Sequence, residues 1–226
     1  MKYGQFCPIA KSAEILGDRW TLLIVREILM GASRFNEMRR GLGTISTAVL
    51  TERLKTLVEQ GMVVRRKLSG KTGYEYFPTP ACQELLPILV SLGDWGMRWA
   101  KDNLVDEDYD VELLMLYLER SIDHERLPGP ETVLQFEFSD LRDVRFWWLI
   151  VGRDKVDVCV KDPGRDIDVW FKSTVRTMSE VWLGNRSWRE AIGTGELSLI
   201  GDAALTKTVN RWLRPSVFAP DALALG

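Results

Sequence analysis

The chain has 226 residues, of which 46% are apolar and 27% charged, and its formal net charge at pH 7 is −2. At about 150 residues per domain, this length predicts one or two domains, and two is our working number. No apolar run reaches the ~18 residues that span a bilayer and no secretory leader is evident, so we expect a cytoplasmic protein without a membrane partner. Cys7, Cys82 and Cys159 are widely spaced without a CxxC motif, which indicates neither a disulfide framework nor a zinc site.

The charge is unevenly distributed along the chain. Residues 1–101 contain 15 Lys and Arg against 9 Asp and Glu, a net of +6, and residues 102–226 contain 15 against 23, a net of −8, which together give −2. Within residues 34–71, nine basic side chains face three glutamates. This excess favours a polyanionic partner for the first part of the chain, although a charge run alone is also typical of a solvated surface.

Three amphipathic helices are predicted before residue 44. Apolar residues recur at helical spacing over 8–17, 20–31 and 33–43, and each of the first two segments ends in a glycine suited to a helix C-terminus. Ser33 is the expected N-cap of the third helix.

A fourth helix is predicted over residues 46–60, with Ser46 as its N-cap. Its buried stripe, at the i, i+4, i+7 spacing of one helix face, consists of Leu50, Leu54 and Leu57. The opposite face is small, polar or basic and consists of Thr47, Ala48, Thr51, Glu52 and Lys55. We expect the leucines to pack inward and this second face to meet solvent or a ligand.

The pattern changes to β-prone runs after Gly61. Residues 62–68 and 74–79 are separated by the turn sequence SGKTG and predict a hairpin. Three helices and a basic hairpin form a winged helix-turn-helix, a fold in which one helix enters the DNA major groove and the hairpin follows phosphates or the minor groove. A helical bundle with a hairpin can instead serve as a protein-interaction scaffold, so the pattern leaves both functions open.

The predicted DNA-binding set combines the exposed face of the fourth helix with the flanking basic residues. Its members are Arg34, Arg39, Arg40, Ser46, Thr47, Ala48, Thr51, Glu52, Lys55, Arg65, Arg66, Lys67 and Lys71.

The first hundred residues also resemble the HxlR-type transcriptional regulators. The resemblance rests on CP at Cys7, LGDRWTLLIVREIL from Leu16, RFNEMRRGL from Arg34, ISTAVLTERLKTLVEQGMVVR from Ile45 and LGDWG from Leu92. It covers residues 5–101 and implies a winged-helix homodimer on double-stranded DNA with a two-fold-related operator. The implied dimer contacts are residues 8–17 and 82–101.

Residues 102–110 form an acidic stretch that we interpret as a linker. The remaining residues, 111–226, predict an α+β domain: a helix over 111–128, strands that include the apolar RFWWLIV as a central strand, two helices, a last strand and a last helix over 202–213. The fold class is therefore multi-domain, with a mainly-α winged helix-turn-helix followed by an α+β domain.

Residues with catalytic chemistry are sparse in this second domain. His124 is the one histidine and has no Ser or Cys nucleophile at motif spacing. Asp166 and Asp168 share a strand face but lack a third ligand, so we interpret them as solvated. No phosphate-binding loop motif occurs. We expect neither an enzyme nor a bound cofactor or metal.

Aromatic residues are abundant in the second domain, and they either fill its core or line a hydrophobic site. Trp170 is notable because it falls on the aspartate side of its strand, opposite Val169 and Phe171. The segment from Asp168 to Leu213 resembles the sterol-carrier-protein-like fold, which implies an apolar tunnel for a hydrophobic ligand or lipid over residues 110–215. The candidate ligand-binding residues are Phe136, Phe138, Trp147, Trp148, Trp170, Trp182 and Trp188.

Together the two resemblances imply a transcriptional regulator controlled by a hydrophobic ligand. The resemblance to the HxlR type also implies a second input, oxidation or alkylation of Cys7, with Lys11 as the nearest cation in sequence; an inert cysteine at the dimer contact is the alternative. The alternative function for the whole chain is a lipid-binding carrier or scaffold protein with a vestigial winged helix.

Overall fold

The computed structural model describes residues 2–68, 70 and 72–219. The chain divides into two compact units, Met1–Gly96 and Met97–Gly226. Among the described residues, no helix combines the length and the apolar character needed to cross a membrane.

The first unit is mainly α-helical with one hairpin. Its elements, in chain order, are α1 (Pro8–Leu16), α2 (Thr21–Leu29), α3 (Phe35–Arg40), α4 (Thr47–Glu59), β1 (Val63–Lys67), β2 (Tyr74–Pro78), α5 (Pro80–Gln83) and α6 (Leu86–Trp99), whose last three residues belong to the second unit. The two strands pair antiparallel, with Arg65 opposite Tyr76 and Lys67 opposite Tyr74. An isolated bridge between Arg34 and Glu75 joins the start of α3 to β2. This order confirms the predicted winged helix-turn-helix.

The core of this unit lies between α2, α3, α4 and the start of the hairpin. Leu50, Leu54 and Leu57 are at most 1% exposed, so the predicted inward stripe of α4 is confirmed. They pack with apolar residues of the neighbouring elements, namely Ile24, Val25, Ile28, Met38, Ile45, Met62 and Val63. Burial of this stripe fixes the rotation of α4 about its own axis, because any other rotation would expose the three leucines to water.

The N-caps of α3 and α4 differ from each other. The Ser46 hydroxyl oxygen accepts a hydrogen bond from the Val49 amide at 3.3 Å, as predicted. The predicted cap at Ser33 is wrong, because α3 begins one residue later with Arg34 at the N-cap position. The Glu37 carboxylate accepts hydrogen bonds from the backbone N–H groups of both Ser33 and Arg34, each at 2.9 Å. A side chain of α3 itself therefore provides the acceptor for the N–H groups at the start of the helix.

The second unit is α+β. Its elements are α7 (Val111–Ser121), β3 (Glu131–Phe138), β4 (Phe146–Gly152), β5 (Val156–Cys159), β6 (Val169–Ser173), α8 (Val175–Trp182), α9 (Trp188–Gly193), β7 (Ser198–Gly201), α10 (Ala203–Thr206) and α11 (Val209–Trp212). The strands form one sheet in the order β5-β4-β3-β6-β7. β3 and β6 are parallel and the other neighbours are antiparallel. RFWWLIV is an interior strand, but the centre of the sheet is β3.

The two faces of this sheet differ in burial. Leu134, Phe136 and Phe138 of β3 are fully buried, and they pack with Val169 and Phe171 of β6 into one apolar cluster that α7, α8 and the last helices also join. The other face carries the residues that alternate with these, among them Gln135, Glu137 and Trp170. The exposure of Trp170 confirms the side of the strand on which the sequence places it.

Two predicted helices are shorter than expected. The helix that begins at Val111 ends at Ser121, because Ile122 is extended and forms a bridge with Leu213. The predicted last helix is interrupted between Thr206 and Val209, where the Thr208 hydroxyl donates to the Ala204 carbonyl at 2.6 Å. A hydroxyl bound to the preceding turn competes with the helical backbone pattern, and this accounts for the break.

Candidate nucleic-acid interface

The exposed face of α4 is the centre of the candidate interface. The side chains that the sequence predicts for contact with DNA are exposed along one side of this helix, namely Ser46, Thr47, Ala48, Thr51, Glu52 and Lys55. Small residues occupy the first turn and longer polar residues follow, so the N-terminal end of α4 can approach a surface closely. This is the end of a recognition helix that reaches base edges in a major groove.

The polar groups on this face are only weakly engaged within the protein. Thr51 donates its hydroxyl proton to the Thr47 carbonyl at 2.8 Å, which leaves its oxygen free to accept. The Lys55 ammonium lies 3.7 Å from the Glu59 carboxylate, and both side chains are more than half exposed. Such a pair contributes little to stability, so Lys55 can exchange Glu59 for a phosphate at small cost.

A buried charge cluster fixes the turn that precedes α4. Glu27 of α2 is 0% exposed and its carboxylate accepts from the Arg26 guanidinium at 3.0 Å. Arg26 also donates to the Gly41 carbonyl at 2.7 Å. A Cβ on Gly41 would lie 2.0 Å from the Glu27 carboxylate, so the backbone must be glycine here for the two to meet. The sequence prediction missed this support, although a glutamate inside the apolar stretch TLLIVREIL was a visible signal.

Arg53 shows that not every basic residue in 34–71 belongs to the interface. Its guanidinium lies 3.1 Å from the Asp18 carboxylate and donates to the Arg19 carbonyl at 3.3 Å. These contacts attach α4 to the turn between α1 and α2. Arg53 therefore positions the helix, while Lys55 remains on the open face.

The arginines of the α3 segment lie at its two ends. Arg34, at the start, is 3.7 Å from the Glu75 carboxylate of β2. Arg39 and Arg40 are exposed in the last turn, where a cation complements the helix dipole. The three arginines therefore do not form one cluster.

The hairpin presents basic residues on both faces. Arg65 and Lys67 lie on one side and Arg66 on the other, and all three side chains are exposed. The guanidinium of Arg65 lies 3.8 Å from the ring centroid of Tyr74, and that of Arg66 lies 5.1 Å from that of Phe77. Stacking on an aromatic ring orders each guanidinium while its N–H edges stay accessible. Lys71, also predicted to bind DNA, lies outside the described residues.

The seven aromatic candidates for ligand binding are divided between the two faces of the second sheet. Phe136, Phe138, Trp147, Trp182 and Trp188 belong to or pack against the apolar core. Trp148 and Trp170 lie on the other face, each directly opposite Gln135 of β3. The structure therefore does not bring the seven into one site.

The segments expected at a dimer contact expose apolar side chains. In α6, Ile88, Leu92, Trp95 and Trp99 follow one another at i, i+4, i+7, i+11 and are each between 48% and 72% exposed. Phe6, just before α1, is 100% exposed, and Ile9, within α1, is 79% exposed. We define these six residues as the apolar stripe.

The cysteines differ in their surroundings. Cys7 is half-buried at the N-cap position of α1, and the Lys11 ammonium pairs with Glu14 at 2.9 Å. Burial raises the pKa of the Cys82 thiol, which keeps that cysteine protonated at neutral pH.

The acidic residues of the second unit do not assemble into a metal site within the part of the chain that the structure describes, where no group of three His, Cys, Asp or Glu meets. The interpretation of Asp168 as solvated is wrong, because its carboxylate accepts the Val133 amide at 2.8 Å and joins the starts of β6 and β3. His124 and Asp166 are exposed.

Comparisons with known proteins find relatives for the first part of the chain. Residues 15–104 match the HxlR-like helix-turn-helix family. The uncharacterized HTH-type transcriptional regulator YvaP of Bacillus subtilis (strain 168) is 37% identical over 109 residues, which are 47% of this chain and 100% of the relative. The HTH-type transcriptional regulator Rv3095 of Mycobacterium tuberculosis (strain ATCC 25618 / H37Rv) is 39% identical over 89 residues, which are 39% of this chain and 56% of the relative.

A solved structure is also similar over the same part. The reduced form of the transcriptional regulator YodB from B. subtilis is 30% identical, with a TM-score of 0.37, and the match covers 43% of this chain and 98% of that one. The chain spans only about half of the mycobacterial relative but the whole of YvaP, at 37% identity. The chain therefore belongs to the HxlR-like helix-turn-helix family, and the relatives named here are transcriptional regulators.

Proposed function

We propose that the protein is a homodimeric transcriptional regulator that inserts the N-terminal half of α4 into the major groove of a two-fold-related operator. The observation that carries this proposal is the exposed face of α4, from Ser46 to Lys55, on a helix whose rotation and entry turn are fixed by the core and by Glu27. A reading helix held rigidly by its own domain loses little entropy on binding, which favours specific contact.

Charge supports nucleic acid over protein as the partner of this face. Six predicted basic residues are exposed in the segments that precede and follow α4 along the chain, namely Arg34, Arg39, Arg40, Arg65, Arg66 and Lys67. In this proposal they contact phosphates and fix the register on the duplex, whereas Thr47, Ala48 and Thr51 face the bases. Lys55 lies two turns into the helix and binds the backbone.

The apolar stripe supports the homodimer. All six of its members are large side chains with about half or more of their surface exposed. The four on α6 recur at heptad-like spacing, which is typical of a helix that packs against a partner helix. In the proposed dimer, a two-fold axis through paired α6 helices relates the two α4 helices, which bind half-sites one turn of the duplex apart.

The second unit is proposed to respond to a hydrophobic ligand, as its resemblance to sterol-carrier-like domains implies. The order β6, α8, α9, β7, α10 follows the quoted resemblance, and the unit supplies an aromatic-rich sheet. A ligand shifts the dimer toward the arrangement that it binds more tightly, so the size of the response equals that difference in affinity. Oxidation of Cys7 is proposed as a second input, tested by loss of DNA binding with diamide that a Cys7→Ser variant does not show.

The test of DNA binding compares three purified full-length proteins by fluorescence anisotropy on the DNA upstream of the gene, at two salt concentrations. We expect wild type to bind with a steep salt dependence, and Thr51→Ala/Lys55→Ala to lose at least about tenfold in affinity and about one unit of the log–log salt slope. Lys155→Ala is the matched control, since Lys155 is 74% exposed, Lys55 is 75% exposed, and each pairs with one carboxylate.

Two results would oppose the proposal. If Lys155→Ala weakens binding as much as the double variant, then only total charge matters and α4 is not the reading helix. If wild type binds neither this DNA nor any fragment from a genome-wide selection, the protein is not a DNA-binding regulator and the lipid-carrier alternative takes its place.

A further inference from the structure

The outer face of the second sheet, opposite the helices, carries a groove of about 360 Å³. Its lining residues are Gln135, Glu137, Trp170, Phe171, Lys172, Ser198 and Ile200. This volume lies at the lower end of the ~300–1,000 Å³ that small-molecule sites occupy, and it suits a ligand of one or two rings.

Strand pairing places the groove residues in two rows across the sheet. One row contains Trp148, Gln135, Trp170 and Ile200, which are paired in succession from β4 to β7. The next row contains Phe146, Glu137, Lys172 and Ser198. Residues paired in this way point to the same side of a sheet, so an apolar row and a charged row run side by side.

The apolar row offers an exposed aromatic wall. Trp170 is 41% exposed and Ile200 is 63% exposed, although both lie in the middle of paired strands. A flat ring laid against Trp170 and Ile200 would cover both side chains and gain offset stacking with the indole.

The charged row and the neighbouring Arg145 together contain two cations and one carboxylate. Glu137 pairs with Arg145, and the Lys172 ammonium is also 3.5 Å from the Glu137 carboxylate. Two cations share one carboxylate, which leaves a net charge of +1 beside the aromatic wall. An anionic group on a ligand would complement this charge.

Unused hydrogen-bond donors lie at the same end of the sheet. Trp148 is 6% exposed, and its indole N–H has no hydrogen-bond acceptor among the described residues. The Nε–H of Arg145 is buried and likewise without an acceptor in the described part of the chain. Neither residue lines the groove, so these two donors are not counted among the proposed ligand contacts.

We propose that this groove binds a small planar apolar molecule carrying a carboxylate or sulfonate, with its rings on Trp170 and Ile200 and its anion at Lys172. The inference rests on the proposal that the second unit takes a ligand, and it places that ligand on the outer face of the sheet instead of in the apolar core. Phe136 and Phe171 fill the core side, with ring centroids 4.4 Å apart.

The test is a fluorescence titration of the full-length protein with two probes. 8-Anilinonaphthalene-1-sulfonate is anionic, and N-phenyl-1-naphthylamine has the same rings without the sulfonate. We expect Trp170→Ala to weaken both probes about tenfold. Lys172→Gln should weaken only the sulfonate, by about two- to fivefold, because its ammonium is largely exposed.

Matched controls remove similar groups elsewhere in the same unit. Val217→Ala removes an exposed apolar side chain, and Lys155→Gln removes an exposed ammonium beside one carboxylate. Both should keep wild-type affinity for both probes. Circular dichroism establishes that each variant is folded.

Two outcomes would contradict the proposed ligand site in the groove. If wild type and folded Trp170→Ala bind the sulfonate probe with equal affinity, the probe binds outside the groove. If Lys172→Gln weakens the binding of both probes equally, Lys172 does not recognise the anionic group. DNA anisotropy without any probe separates the two proposals. If the protein binds the sulfonate probe in the groove but binds no DNA, the proposed regulator is wrong and the proposed ligand site is retained. If it binds DNA but not the probe, only the proposed ligand site is wrong.

Discussion

Glu27 and Gly41 show how single residues position α4, the proposed reading helix. A fully buried carboxylate is costly unless hydrogen bonds and a cation compensate it, and Arg26 provides both a charge and a link to the Gly41 carbonyl. The close approach of Gly41 to Glu27 leaves no space for a side chain. The turn before α4 therefore depends on a glycine whose φ of −77° would otherwise suit any residue.

Gly41→Ala should destabilise the first unit. Its Cβ would lie 2.0 Å from the Glu27 carboxylate, so the buried pair must shift, and overpacking of this kind costs about 1–3 kcal/mol. Urea denaturation followed by circular dichroism measures the loss. Gly193→Ala in α9 is the control: beyond its chain neighbours and its own helix backbone, no atom lies within 4 Å of its Cβ, so it should be neutral or slightly stabilising. Equal stability of Gly41→Ala and wild type would mean that Glu27 is not held against this turn.

At the scale of the element, the N-terminus of α4 combines two roles in Ser46. Its hydroxyl oxygen caps the helix, and its exposed position faces the proposed DNA surface. Aspartate caps a helix as well as serine does, but it brings a negative charge.

Ser46→Asp should therefore separate stability from DNA binding. The free energy of unfolding should stay within about 0.5 kcal/mol of wild type, because the carboxylate replaces the cap and complements the helix dipole. DNA affinity, measured by anisotropy, should fall at least about tenfold through repulsion by phosphates. Ser46→Ala is the companion variant and should lose about 1 kcal/mol of stability. Undiminished DNA binding by Ser46→Asp would show that this end of α4 does not face the duplex.

The last helices of the second unit are attached by another charged contact. The Asp123 carboxylate accepts from the Arg214 guanidinium at 2.6 Å and pairs with Arg126 at 3.0 Å. The hydrogen bond from Arg214 lowers the pKa of the Asp123 carboxyl below its usual value, against the opposing effect of burial. The contact stabilises the native state above the unfolded-state pKa of about 3.9, and this stability is lost as the pH falls through the lowered native pKa.

Asp123→Asn should accordingly destabilise the second unit at pH 7. The difference in the free energy of unfolding between the variant and wild type should become smaller below about pH 4. The loss at pH 7 should be about 1 kcal/mol, because Arg214 is largely exposed and its charge is screened by solvent. Urea midpoints at pH 7 and pH 3 provide the measurement, with Asp166→Asn, at an exposed position, as the control. A loss of the same size at both pH values would assign the contact to packing and not to charge.

At the scale of the whole molecule, the apolar stripe is the proposed dimer contact. Trp95 lies in the middle of the stripe and is 54% exposed, so a substitution there should disturb association more than folding. Trp95→Lys places a charge in the proposed contact, which cannot be buried without a partner.

We expect Trp95→Lys to convert a dimer of twice 25.9 kDa into a monomer of 25.9 kDa, as measured by light scattering after size exclusion. Its operator affinity should fall by at least about a hundredfold, because one half-site replaces two. Val217→Lys, an exposed apolar position in the second unit, should remain dimeric. A Trp95→Lys protein that stays dimeric would move the interface away from α6.

Local periodicity in the sequence determined the helices and strands and the faces they bury. The leucine stripe and the Ser46 cap of α4, the antiparallel hairpin and the exposed side of Trp170 all follow from spacing within one segment, because the period of a helix or strand decides which side chains share a face. The resemblance of the first hundred residues to HxlR-type regulators was likewise carried by the sequence and is confirmed.

Contacts between distant segments were decided only by the tertiary structure. The support of Glu27 for Gly41, the use of Arg53 at Asp18, and the pairing of Asp168 with Val133 join residues that no local pattern relates. The same holds for the seven aromatic candidates. The sequence pattern shows which residues of a strand share a face, but the strand order places Trp148 and Trp170 opposite Gln135 on the outer face and the other five at the core. Pairing register and strand order depend on the apolar surface that the whole sheet buries. That burial involves segments far apart in the sequence, so no single segment determines it.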